Sequence, residues 1–155
     1  MSTQIEASNQ NLEKQTQELT FLGQGLLGFE HLLTYSLSVY DPQTPFYWLR
    51  SQEDENAAFI VMEPCYLVDD YAFDLPDDFA SELAISNSED AFVLVILRIP
   101  ENMQEMTANL AGPLIFNRRT SCGKQLVLES AHYPLRFPLF PSEPTAQADA
   151  DPETV

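Results

Sequence analysis

The sequence predicts an all-β domain, and three observations carry the prediction. Phe92-Val93-Leu94-Val95-Ile96-Leu97-Arg98-Ile99 is almost continuously apolar and rich in β-branched residues. Leu33, Tyr35, Leu37 and Val39 alternate with polar residues at the period of a half-buried strand. Further short apolar runs recur along the chain, bounded by Pro, Gly and acidic clusters rather than joined into helix-length periodic segments. The Phe92–Ile99 run is apolar on both faces and is expected to be a central strand covered on both sides.

Residues 1–17 are rich in Gln, Asn, Ser and Thr, with Ile5, Ala7 and Leu12 as their apolar members. Such a segment buries too little to offset its ordering entropy, so a flexible or loosely paired N-terminal segment is expected. The ordered domain is expected to span residues 18–139. Gly23, Gly25 and Gly28 lack the Lys-Ser/Thr of a phosphate loop and the spacing of a dinucleotide fingerprint, and read as turn glycines. After the strand ending near Tyr40, Asp41-Pro42-Gln43-Thr44-Pro45 is a turn.

Phe46-Tyr47-Trp48-Leu49-Arg50-Ser51 is the densest aromatic patch and reads as a strand with Phe46 and Trp48 inward and Tyr47 outward. The acidic loop Gln52–Asn56 leads to a buried strand, Ala57–Met62, closed by Glu63-Pro64. Asp74 to Ala84 carries the helix signal: Pro76 and acidic residues at the start, and Phe79 and Leu83 four apart on one face. Beyond the central strand, Thr107–Asn117 and Gln125–Glu129 read as strands joined by the turn Arg118–Lys124. His132–Leu139 is an extended edge segment limited by its prolines. Residues 140–155 are Pro-, Ala- and acid-rich with no Lys or Arg, and a disordered acidic tail is expected.

Seven basic residues against 24 acidic ones give a formal net charge of −17 and a pI near 4.1. That field repels nucleic acid and anionic membrane and favours a basic protein partner. Cys65 and Cys122 have neither CxxC nor metal-ligand spacing, so a reduced, cytoplasmic setting is expected. No run is long and apolar enough to span a bilayer, and the N-terminal residues do not resemble a secretory signal. His31 and His132 are isolated, and the adjacent pairs Asp69-Asp70 and Asp77-Asp78 point different ways and build no acid/base pair. No catalytic residue, cofactor site or metal site is expected, and the chain reads as a non-enzyme.

Several segments together resemble the family of the flagellar assembly factor FliW. They are Gly25–Glu30, Pro45–Ser51, Ala58–Val61 with Pro64, Tyr71–Pro76, Asn109–Asn117, and Gly123–Leu128 with Tyr133–Arg136. Each motif is weak alone, but their order and spacing agree from about Leu19 to Leu139. The resemblance implies a single-domain antiparallel β-barrel-like fold with one or two short helices. It also implies a partner switch in the cytoplasm: binding flagellin and, when free of it, binding and antagonising the translational regulator CsrA. Candidate partner-binding residues are Tyr47, Asn109 and Asn117, with Phe46, Trp48 and Pro113 as supporting framework. For the asparagines, turn and backbone hydrogen bonding is the competing account. A monomer is expected rather than an oligomer. The alternative function is a generic acidic chaperone or adaptor for another basic or aggregation-prone client.

Overall fold

A computed structural model describes residues 3–6, 16–129 and 132–140 of the chain. Among the described residues eleven strands, one short α-helix and three single-turn 3-10 helices follow in order. The first six strands are β1 (Thr3–Glu6), β2 (Gln17–Phe21), β3 (Thr34–Val39), β4 (Phe46–Ser51), β5 (Ala58–Met62) and β6 (Ala72–Leu75). Helix α1 (Asp77–Glu82) precedes β7 (Ala91–Arg98), β8 (Thr107–Ala108), β9 (Leu114–Asn117), β10 (Cys122–Gln125) and β11 (Phe137–Pro138). The expected barrel is present and closed. Strands β7, β5, β4, β3, β2, β10 and β9 hydrogen-bond in that order, and β9 returns to β7. All these pairs are antiparallel except β10 with β2, where Cys122 and Gly123 lie beside Thr20 and Phe21.

Alternation along each strand divides the core in two. Leu19, Phe21, Tyr35, Leu37, Leu49, Val61, Phe92, Leu94, Leu114 and Phe116 point into the barrel and fill it. The ring of Phe116 sits 5.4 Å from Phe92 and 5.3 Å from Phe21. Gly123 of β10 makes this packing possible, because a Cβ there would overlap the Phe116 ring. The opposite faces of β5, β7 and β9 carry Ile60, Met62, Val93, Val95, Leu97 and Ile115 into a second, outer cluster. Ile5, Phe73 and Leu75 from the β1–β6 ribbon and Ala80, Leu83 and Ile85 around α1 cover it. β7 is thus buried on both faces, as its unbroken apolar run predicts.

Four expectations need correction. The N-terminal segment expected to be flexible or loosely paired contains β1, which pairs Thr3–Glu6 in register with Ala72–Leu75 and buries Ile5 to 1% exposure. Untested beside these four is the tail expected to be disordered over 140–155, which beyond Phe140 lies outside the described residues. The run Thr107–Asn117 is not one strand: Gly112-Pro113 interrupts the ladder because proline has no N–H to donate, leaving β8 and β9. The third run is displaced, since β10 occupies Cys122–Gln125 and the following residues run irregularly beside 111–113. There the Leu126 and Leu128 amides donate to Pro113 and Ala111 carbonyls at 2.9 and 2.8 Å.

The fourth correction concerns β4. Tyr47 shares a face with the fully buried Leu49 and packs on the inner cluster, whereas Phe46 and Trp48 pack half-buried on the outer side. The register confirms it, with Tyr47 opposite the inward Val61 and Trp48 opposite Ile60.

Because Ile5 anchors the β1–β6 ribbon over β7, Ile5→Ala is expected to cost about 2–5 kcal/mol of unfolding free energy in urea titrations. A loss within a few tenths of a kcal/mol would mean that β1 does not hold the outer layer.

Candidate functional site

The barrel opens at one end where β9 parts from β7. β9 pairs with Ala91–Leu94, whereas Leu97 and Arg98 pair instead with β8. Ile96 and Phe59, both inward-facing and half-buried, stand at this mouth. The β2–β3 loop folds over it. Gly25 lets that loop close on itself, since a Cβ there would run into the Leu32 carbonyl, and its amide donates to Glu30 O at 2.9 Å. The loop buries Leu26 and leaves Leu27 and Phe29 54% and 37% exposed, with Phe29 edge-on to Phe59 at 5.1 Å.

Gln125 fastens this loop to the far side of the mouth. Its Oε1 accepts from the Leu27 amide at 3.0 Å, and its Nε2 donates to the Gly112 carbonyl at 3.0 Å. Between loop, β7 and the C-terminal segment lies a groove of about 420 Å³, completed by Leu97, Thr107, Asn109 and Leu135. Its walls are mainly apolar, Leu135 is 61% exposed, and Arg98 and Arg136 stand on its rim.

A second surface lies on the outer side of β4. Tyr40, 48% exposed, meets Phe46 and Trp48 at ring-centroid distances of 6.3 and 5.4 Å. The Arg50 guanidinium lies 4.4 Å over the Trp48 ring, a cation–π contact at an exposed position.

The structure separates the six candidate residues rather than gathering them. Phe46 and Trp48 belong to this outer patch, and Tyr47 faces the barrel interior, where burial first and Glu63 second raise its hydroxyl pKa. Pro113 is buried, its carbonyl taken by Leu126. Asn109 lines the groove, its Oδ1 accepting from the Ala111 amide at 3.0 Å.

Asn117 is wholly buried and fully engaged. Helix α1 ends with the Ala84 amide on Ser81 O, the Ile85 amide on Ala80 O, and Ala84 at φ 57°, a Schellman termination. The Asn117 Nδ2 donates to the Leu83 and Ala84 carbonyls at 2.8 and 3.1 Å, and its Oδ1 accepts from the Arg119 and Thr120 amides at 2.7 and 3.1 Å. It is a clip between the helix end and the β9–β10 turn, so the turn-bonding account holds for it. The groove itself escapes sequence reasoning, because its walls come from loop, strand and tail positions with no local motif in common.

The titratable groups carry structural rather than chemical signatures. Glu53 accepts from the Thr34 hydroxyl at 2.7 Å and from the Thr34 and Leu33 amides at 2.9 and 3.1 Å. These bonds to its charged form, led by the Thr34 side chain, hold its carboxyl below the ordinary value of 4.5. Tyr35, inside the barrel, is pushed up to about 12 by burial and then by Glu53, and its hydroxyl has no hydrogen-bond partner among the described residues. Burial pushes the Cys65 thiol up, against thiolate chemistry. Among the described residues no cluster of His, Cys, Asp and Glu could hold a metal ion, and no helix is long and apolar enough to cross a membrane.

A sequence model of the FliW protein family matches residues 4–139, nearly the whole chain. The chain belongs to the FliW family. The flagellar assembly factor FliW of Caldicellulosiruptor saccharolyticus is 39% identical over 129 residues, covering 83% of this chain and 84% of that protein. That of Clostridium kluyveri is 36% identical over 132 residues, covering 85% and 91%. A crystal structure of the flagellar assembly factor FliW superposes with a TM-score of 0.73 at 30% identity, covering 81% of this chain and 87% of that one. The FliW barrel is therefore the fold of this chain, and the family match takes in β1 from its second residue, Gln4.

Two expectations test the site's construction. Asn117→Ala strands two carbonyls and two amides in a buried place and is expected to cost roughly 2–4 kcal/mol in chemical denaturation. A near-neutral result would show that the helix end and the turn are not tied by this amide. For Glu53, the folded state favours the carboxylate, so its contribution is complete above pH 4.5 and is lost as pH falls through its lowered pKa. The urea-midpoint difference between wild type and Glu53→Gln is expected to shrink on acidification; a difference that is flat or grows would refute the bonding scheme.

Proposed function

We propose that this chain is a cytoplasmic, non-catalytic monomer that binds flagellin and, when free of it, binds and antagonises CsrA. The observation that carries the reading is membership of the FliW family along residues 4–139, among relatives that are flagellar assembly factors. The charge supports the regulatory half. A net −17 attracts a basic RNA-binding protein, and a surface of that sign brought beside it repels RNA phosphates. In this scheme free flagellin occupies the protein and leaves CsrA to repress flagellin translation. Export of flagellin frees the protein to sequester CsrA, and synthesis resumes.

Calorimetric titration with purified flagellin monomer and, separately, with CsrA tests both halves. Submicromolar binding to each, with one partner displacing the other, is the expected result, and CsrA affinity is expected to fall as ionic strength rises. Flagellin binding alone would reduce the protein to a dedicated chaperone. Binding to neither by a folded sample would overturn the reading, and a CsrA affinity indifferent to salt would overturn its electrostatic part.

A further inference from the structure

The groove at the barrel mouth combines two properties that ask for one kind of occupant. Leu27, Phe29, Ile96 and Leu135 give it apolar walls, two of them more than half exposed. Arg98 and Arg136 stand exposed on its rim and form no salt bridge with any described residue. In a chain with only seven basic residues and 24 acidic ones, such guanidiniums would find carboxylate partners nearby if neutralisation were their role. Lys124, by contrast, is held by Glu82 at 2.8 Å. The volume, about 420 Å³, suits a few side chains of a partner segment rather than a whole helix. The Gln125 bridge fixes the loop in advance, so little ordering entropy remains to be lost on docking.

We propose that this groove docks a short amphipathic segment of a partner protein. The segment's large apolar side chains enter the mouth between Leu27, Phe29, Ile96 and Leu135, and its flanking carboxylates pair with Arg98 and Arg136. The inference rests on the reading of this chain as a protein-binding factor and adds to it a place and a chemistry. The preferred segment is acidic, opposite to what the overall charge selects. The molecule thus presents two electrostatically distinct surfaces, a positive-rimmed apolar mouth and an acidic exterior.

The test uses the full chain and two fluorescein-labelled peptides, one of repeating Leu-Leu-Glu-Glu and one of Leu-Leu-Lys-Lys. The Glu peptide is expected to bind wild type and to weaken about tenfold or more in the Arg98→Glu/Arg136→Glu and Leu27→Ser/Leu135→Ser double variants. The Lys peptide, drawn to the acidic exterior, is expected to lose nothing in the Leu27→Ser/Leu135→Ser variant. All four side chains are exposed, so thermal melts should be unchanged and a binding loss cannot be ascribed to unfolding. A Glu peptide that binds both variants as well as wild type overturns the proposal. So does a gain in its affinity when Glu143, Asp149, Asp151 and Glu153 are made amides, which would make the chain's own tail the occupant. A wild-type dimer in sedimentation that Leu27→Ser/Leu135→Ser disperses would also overturn it, by making the occupant a second copy. The flagellin titration is read separately: Glu-peptide capture without flagellin binding supports the groove and removes only the named partner.

Discussion

Everything in this fold leans on one strand that cannot face water. β7 bonds to β5 along one edge and to β9 and β8 along the other, so it both closes the ring and extends beyond it. Phe92 and Leu94 fill the barrel while Val93, Val95 and Leu97 look outward. An outward apolar row is tolerable only if something lies on it, at roughly 1.5–3 kcal/mol for each large aliphatic side chain. The β1–β6 ribbon, α1 and the C-terminal segment exist in the fold as that cover. The barrel is therefore not symmetric: one wall is double-layered, while the β3–β4 side presents its outer face with less protection.

How far the sequence disclosed this follows from the range of the interactions. β7, β3 and β4 announce themselves because their patterns are local: an unbroken apolar run, an alternation, an aromatic cluster. α1 is legible because its acidic first turn and its apolar spacing are local too. β1 was not legible, since one isoleucine among polar residues earns its burial from β6, about seventy positions away. The inversion of β4 has the same origin. Both of its faces are apolar, one against the barrel interior and one against the outer layer, and an aromatic strand does not say which core is which.

The candidate site divides along the same line. Asn109, singled out within a family motif, lines the mouth, while Asn117, from the same motif, makes four hydrogen bonds to backbone groups of the helix end and the turn. Arg98 and Arg136 could not be singled out in one dimension. They line one groove because β11 lays the C-terminal segment beside β8 at the end of β7. The exterior charge, by contrast, is fully visible in composition and requires no fold to be understood.

The ring is closed by its slightest joint. β10 and β2 run parallel over two residue pairs, Cys122 with Thr20 and Gly123 with Phe21, with the amides of Thr20 and Leu22 donating to Ser121 and Gly123. These partners come from opposite ends of the domain, so the loop they close is the longest among the described strand pairs and entropically the most expensive of them to form. During synthesis the sheet can curl from β2 through β7, yet its two edges stay open until the residues around Gly123 have left the ribosome. A growing chain thus carries two exposed strand edges until β9 and β10 have been made, vulnerable to pairing with its neighbours, and becomes a barrel only when those strands are in place.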